Sequence, residues 1–400
     1  MQPSGRNVPV KKIRVAYPVP LLRGRGGWAT FARGAIRALA ERVEPVLIVS
    51  QADEAAARAE FPALERHVLP AVQAEDWNET TVSLLRRMAP AMLAARRLPA
   101  LDVQLVHSLE MFPAGWVGDL LARAAGVPHV LTAHGTYAVI WKRWPMLDYF
   151  YRRVLRNAAA VYPISGGTES RLLASYGDVL ASTRVKPVPI GTDAAAKVKR
   201  MVAVRRVWPD SPVVLSVGGV KPRKGYHTSL RAFALLQSRF PDAQYRIVGR
   251  DPEGKYRQQL QEIIRREEIA NVEFLGGVDD AHLDAEYHAA SIFLLLSEEE
   301  GAHFEGFGLV YLEAGAYGLP VVATRSGGIP DAVTEGGSGF LSAPGDAEAA
   351  AQAMIRLASD RALSSRMGAA GRANAERLTW RRYAGDQYRQ YRLLLAGASA

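Results

Sequence analysis

Short Val- and Ile-rich runs alternate with helix-like stretches along the whole chain, and they do so in two successive series. IRVAY (13–17), PVLIVS (45–50), VQLVHS (103–108), HVLTAH (129–134), AAVYPIS (159–165) and RVKPVPIG (184–191) read as buried strands. PVVLSVGG (212–219), QYRIVG (244–249), NVEFLG (271–276), SIFLLLS (291–297), PVVAT (320–324) and GFLSA (339–343) make the second series. Between them WATFARGAIRALAER (28–42) and AGWVGDLLARAAG (114–126) read as helices, the latter capped by Gly126. Such alternation implies α/β architecture: parallel sheets with helices on both faces. Two series imply two doubly wound, Rossmann-like domains, which suits a length of 400 residues. The expected domains are 1–195 and 196–378, joined near 192–210. The amphipathic stretch 378–397 reads as a helix, with 379–400 placed to pack back onto the first domain. Doubly wound sheets bind ligands beyond the C-terminal ends of their strands. The expected site is therefore the central cleft that the two domains face.

Hydrophobic content of 48% and charged content of 22% describe a globular chain. Without cysteine there is no disulfide, thiol catalysis or Cys-based metal site. No run reaches the roughly 18 apolar residues that span a bilayer, and the N-terminus lacks a signal-peptide pattern. The expected setting is cytoplasmic, at most peripheral on the inner face of a membrane. The net charge of +10 is one-sided. Residues 1–200 hold 27 Lys and Arg against 16 Asp and Glu, whereas residues 201–400 hold 23 against 24. A basic half suits an acidic partner such as a membrane surface or a phosphorylated substrate, or else serves solubility.

Five stretches carry candidate chemistry. In EGFGLVYLEA (305–314), Glu305 and Glu313 bracket a glycine turn. If a helix begins near Leu309, the amides of Phe307, Gly308 and Leu309 point at an anion site. Gly306 and Gly308 would let a ligand approach the main chain. The two acids would then take hydroxyls on either side of a phosphate, a nucleotide-sugar layout. The plainer alternative is a helix-start carboxylate and a surface acid. In VGGVKPRKGYHTSL (217–230), Arg223 and Lys224 sit at a strand's C-terminal end, where they can hold phosphate oxygens. The spacing is not that of a P-loop, and a solvated turn is the alternative. LLRGRGGWAT (21–30) places Gly24, Gly26 and Gly27 at the first strand–helix junction, within reach of a diphosphate. TAHGTY (132–137) puts His134 at a strand end, where it could bond a sugar hydroxyl or be structural. RSGGIPDAV (325–333) is a further glycine turn that touches either ligand or only protein.

Taken together these stretches resemble the retaining glycosyltransferases of family 4, with the two-domain GT-B fold. The resemblance rests on the E-x7-E pair Glu305–Glu313, EGFGLVYLEAGAYGLPVVATRSGGIPDAV, PRKGYHTSLRAF, RIVG, NVEFLGGV, HGTY, VPIGTD and the early GRGG. It covers most of the chain, being specific over 212–345 and diffuse over 40–130. It implies catalytic roles for Glu305, His134 and Lys224. Glu305 would contact the transferred hexose away from the attacked face, and Glu313 the donor ribose. Lys224 would hold the diphosphate. The amides of Phe307, Gly308 and Leu309 would bind sugar and phosphate. Gly27, beside Gly26, would approach the diphosphate from the first domain, and His134 would lie near the hexose 6-position. Two departures stand out. The family usually carries Arg directly after the strand glycine, where this chain has Gly219, so Arg223 or Lys221 is left to supply the charge. Three extra acids, Glu298, Glu299 and Glu300, precede the motif together with His303.

Breaking a sugar–diphosphate bond leaves negative charge on the leaving group, which cations and helix-end amides stabilise. D-x-D occurs nowhere in the sequence, so the expected transfer needs no metal and no cofactor beyond the nucleotide sugar, a UDP- or GDP-hexose. With no carboxylate assigned as nucleophile, front-face attack is expected. LLRRMAPAMLAARRL (84–98) and WKRWPMLDYFYRRVLRN (141–157) interleave cations with apolar residues. They suit an anionic membrane or a lipid-linked acceptor in cell-surface polysaccharide or glycolipid synthesis, and equally suit ordinary amphipathic helices. Glycan and small-molecule acceptors stay open, and no nucleic-acid motif appears. Two other classes remain: an isomerase of the nucleotide-sugar 2-epimerase kind, and a non-catalytic sugar-nucleotide binder. The E-x7-E and PRKG combination opposes the first, and the retained Glu305, Glu313 and Lys224 oppose the second.

Overall fold

A computed structural model describes residues 12–19, 21–24, 26–70, 81–98, 101–200, 211–251 and 254–397. The first series of runs forms β1 (Arg14–Pro18), β2 (Glu44–Ser50), β3 (Glu65–Leu69), β4 (Leu105–Ser108), β5 (His129–Ala133), β6 (Ala160–Pro163) and β7 (Arg184–Val185). They make one sheet in the order β3-β2-β1-β4-β5-β6-β7, and every neighbouring pair is parallel. The second series forms β8 (Val213–Val217), β9 (Gln244–Val248), β10 (Val272–Gly276), β11 (Ile292–Leu295), β12 (Val321–Thr324) and β13 (Gly339–Ser342). This sheet is also parallel, in the order β10-β9-β8-β11-β12-β13. Helices join successive strands, so central strands such as β5 and β11 are buried along their whole length.

Each sheet reverses its strand order beside its first strand, at β1/β4 and at β8/β11. The loops leaving those two strands diverge, and a crevice opens at the strand ends. Two elements differ from the sequence-based expectation. β3 (ERHVL) was not expected, because a half-exposed edge strand carrying charge lacks a continuous apolar run. The run 184–191 contributes only the two residues of β7. Pro187 and Pro189 have no N–H to donate, yet Lys186 N and Val188 N still bond Val161 O and Pro163 O at 3.1 and 2.8 Å.

The helix Trp380–Gly397 lies against the first helix, Gly27–Ala40. Trp380 and Tyr383 meet the edge of Phe31 with centroids 5.8 and 5.7 Å away. The Tyr391 hydroxyl reaches Tyr17 Oη at 3.1 Å and His107 Nδ1 at 2.5 Å. A Cβ at Gly34 would overlap the Trp380 indole. The expected junction near 192–210 falls partly on 201–210, outside the described residues.

Candidate active site

Two loops meet at the β8/β11 switch point. After β8, Pro222–Lys224 makes a short 3-10 turn and Gly225, at φ 64, starts the helix Tyr226–Gln237. A Cβ at Gly225 would overlap the Leu296 carbonyl just past β11, so glycine lets the loops touch. Glu298 N then donates to Arg223 O at 2.8 Å. This contact brings the basic turn and the acidic loop onto one spot. The Lys224 ammonium donates to the Glu305 carboxylate, and Arg223 Nη1 reaches the same oxygen at 3.3 Å.

The electrostatics follow from that crowding. Burial pushes the Glu305 carboxyl up, but Lys224 and Arg223 together outweigh it and hold the group below its ordinary range. Burial lowers the Lys224 ammonium; Glu305 opposes that shift, while Arg223 and Lys221 reinforce it. Arg223, Lys224 and Glu305 together keep one net positive charge at the strand ends.

Gly308, at φ 84, adopts the left-handed backbone that ends the glycine turn and starts the helix Leu309–Ala316. The expected helix start is thus where the motif places it. The first amides of that helix, at Leu309 and Val310, have no acceptor within it. Glu313 lies in the second turn. Burial raises its carboxyl above the ordinary range, and the Tyr287 hydroxyl donates to it at 3.3 Å. Tyr287 in turn stacks on Tyr317 at 4.8 Å, nearly parallel.

The first domain holds the same loop from the other side. Gly135, beside His134, packs against Gly306 so closely that a Cβ on Gly306 would lie 2.9 Å from Gly135 Cα. Phe304 N donates to Thr136 Oγ1 at 3.1 Å. Ser165 and Thr168 hydroxyls donate to Gly306 O at 2.6 and 3.1 Å. Asp331 accepts from Gly166 N at 3.0 Å, at the start of the helix Gly166–Leu180. His134 is buried, and burial lowers its imidazole to about 4, with a backbone bond at Leu109 opposing. Its ring meets Phe31 edge-on at 4.3 Å, and Nε2 has no partner among the described residues.

Gly26 and Gly27 stand apart from this cluster. Added Cβ atoms there would meet nothing within 4 Å, so they face open space. Asp53 fixes their loop by accepting from Leu22 N and Arg23 N at 3.0 and 2.9 Å. The RSGG turn packs against the Glu305 segment. Gly328 N donates to Glu305 O at 2.8 Å, and a Cβ on Gly328 would overlap Gly306 O. Two of the extra acids are also occupied within the protein. Glu298 accepts from Thr228 Oγ1 at 2.5 Å, and Glu299 from Arg171 and from Ser326 Oγ, the latter at 2.9 Å. Sequence reasoning missed Tyr287, Thr136, Ser165, Thr168 and Asp331. Thr136 and Asp331 lie inside the TAHGTY and RSGGIPDAV stretches without a role being read for them, and the Ser165-x-x-Thr168 start of a helix left a capping pattern. Among the described residues no three His, Asp or Glu side chains gather as a metal site requires.

Comparison with known proteins agrees with this architecture. The family model for glycosyl transferases group 1 matches residues 202–374, and that for glycosyltransferase family 4 matches residues 25–196. The GDP-mannose-dependent alpha-(1-6)-phosphatidylinositol monomannoside mannosyltransferase of Mycolicibacterium smegmatis is 32% identical over 295 residues, 71% of this chain and 76% of that protein. Sucrose-phosphate synthase from Thermosynechococcus elongatus superposes with a TM-score of 0.74 at 23% identity, over 96% of this chain and all of that one. Anabaena HepE, solved with UDP-glucose, superposes with a TM-score of 0.68 at 18% identity, over 95% and 99%.

Proposed function

This chain belongs to the family 4 glycosyltransferases of the two-domain GT-B fold, and from that premise we propose that it moves a hexose from a nucleotide sugar to a hydroxyl of a glycolipid or lipid-linked glycan, with retention and without a metal ion. The observation that carries the proposal is the convergence of Lys224, Arg223 and Glu305 beside a glycine turn that opens the helix bearing Glu313. Glu313 takes the ribose hydroxyls. The net positive charge and the amides at Gly308 and Leu309 take the diphosphate as its charge develops. The amide of Phe307 lies at the hexose. Gly26 and Gly27 leave open space for the donor from the first domain.

Glu305 holds its charge against two cations, which makes it a poor nucleophile. It positions Lys224 and faces the hexose. We therefore assign a front-face course. The acceptor oxygen bonds the anomeric carbon on the face that the phosphate oxygen leaves, and that phosphate takes the acceptor proton. We assign His134, neutral and with Nδ1 engaged at the Leu109 backbone, to the hexose side of the site.

A polar lipid acceptor suits the basic first domain. The helix Pro145–Asn157 exposes Met146 at 46% and Tyr149 at 60%, with Lys142, Arg143, Arg153 and Arg156 exposed around them. Arg86, Leu93, Arg96 and Arg97 are exposed on the helix Thr81–Arg97. These faces suit peripheral attachment to an anionic membrane on its cytoplasmic side. Among the described residues no helix is long and apolar enough to cross a membrane. GDP-mannose is the donor to test first, because the mycobacterial relative is named for it. The test supplies labelled GDP-mannose or UDP-glucose with vesicles containing phosphatidylinositol, with and without EDTA. Label in the extracted lipid, unchanged by EDTA, is expected. Loss of transfer in EDTA overturns metal independence, and no transfer from either donor overturns the assignment.

A further inference from the structure

At the end of β8 two glycines stand in sequence, and two lysine stems lie over them. A Cβ on Gly218 would sit 3.7 Å from Cε of Lys224, and a Cβ on Gly219 would sit 3.9 Å from Cε of Lys221. We propose that Lys221 is a donor-diphosphate ligand, its stem laid over the bare backbone of Gly219 so that its ammonium stands beside Lys224. The inference rests on the donor site assigned above and names the group that completes it.

The division of labour in the turn points to Lys221 rather than Arg223. Arg223 and Lys224 both spend hydrogen bonds on Glu305. The Lys221 side chain is exposed and makes no ion pair or hydrogen bond among the described residues. Its charge is nonetheless close enough to act on Lys224, where it adds to the lowering that burial begins. Holding a second ammonium there raises the positive potential at the strand ends, which a diphosphate relieves.

Gly219 itself shows what the fold allows. A Cβ there would meet only Arg250 O at 3.8 Å and the Lys221 stem, both ordinary contacts. Glycine is thus not demanded by packing at position 219, and on this proposal the cation is supplied from position 221.

Calorimetric titration of the full chain with GDP, UDP, GMP and UMP tests the assignment. Lys221→Ala should weaken the diphosphate that wild type binds by about tenfold, as loss of one charge-assisted contact does. It should leave the matching monophosphate within about twofold. Lys221→Arg should bind as wild type does. The double variant Gly219→Arg/Lys221→Ala should regain most of the lost affinity, by delivering the cation from the neighbouring position. Unchanged diphosphate affinity in Lys221→Ala overturns the role of Lys221 while leaving the donor site in place. Equal weakening of both phosphate forms does the same. Wild type that binds none of the four nucleotides overturns the donor site and Lys221 together. Lys221 is exposed, so the variants should keep the wild-type Tm, which is measured alongside.

Discussion

The ammonium of Lys224 donates to the carboxylate of Glu305, and the Arg223 guanidinium reaches the same oxygen at 3.3 Å. Lys224 and Glu305 side chains are 11% and 14% exposed, so neither charge is well hydrated. Lys224→Met leaves Glu305 with Arg223 alone. It should cost about 2 kcal/mol of stability, less than a wholly orphaned buried charge would. It should also lower kcat by about a hundredfold or more, as loss of a leaving-group cation does. Glu305→Gln combined with Lys224→Met should destabilise less than the sum of the two. Urea denaturation across that double-mutant cycle checks the coupling, and additive losses would show that the pair does not interact.

Glu313 and Tyr287 form the next pair. Glu313→Ala should weaken nucleotide binding by about tenfold or more, and Tyr287→Phe by a smaller factor, through looser aim of the carboxylate. Burial raises the Glu313 carboxyl above its ordinary range. Only the ionised form accepts two hydroxyls, so donor affinity should rise with pH through that raised range. The rise should vanish in Glu313→Gln. A flat profile in wild type would contradict the assignment.

The loop carrying Glu305 is set by the first domain through Gly306. Ser165→Ala removes the 2.6 Å bond to Gly306 O and should lower kcat with little change in donor KM. Gly306→Ala places a Cβ 2.9 Å from Gly135 Cα and should act more strongly in the same direction. Steady-state kinetics separates this from a binding defect, which would raise KM instead.

Three buried imidazoles make folding acid-sensitive. Burial lowers His107 and His129 to about 3 and His134 to about 4. The unfolded chain binds protons on all three near pH 6.5, so stability falls as pH drops from there towards 4. Each adds up to about 1.4 kcal/mol per pH unit in that window. Buried Glu110 opposes them, because burial raises its carboxyl and the folded state keeps its proton. The net slope should therefore be below three protons. Denaturation at pH 7 and 5 measures it, and His134→Gln should remove about one proton from the slope.

The strand–helix series was legible because parallel strands are buried on both faces and write continuous apolar runs. β3 escaped because an edge strand does not. The helix start at Leu309 was legible because Gly308 needs its left-handed backbone. The latch of Thr136, Ser165, Thr168 and Asp331 was not. It joins residues more than a hundred positions apart, and no local pattern records such pairs. The glycines of the RSGG turn were open to two readings, ligand contact or plain structural turn. They are small because backbone carbonyls of the Glu305 segment crowd them. Glu298 and Glu299 accept from Thr228 and Arg171, pairings that no local sequence pattern records.

The central claim is that Glu313, Glu305 and Lys224 hold a nucleotide sugar. A thermal-shift panel of UDP, GDP, ADP and their common sugar conjugates, on wild type and Glu313→Ala, tests it most directly. One nucleotide and its sugar conjugate should raise the Tm of wild type, and the rise should shrink in Glu313→Ala. No shift with any of them, or a shift that Glu313→Ala leaves intact, would contradict the account.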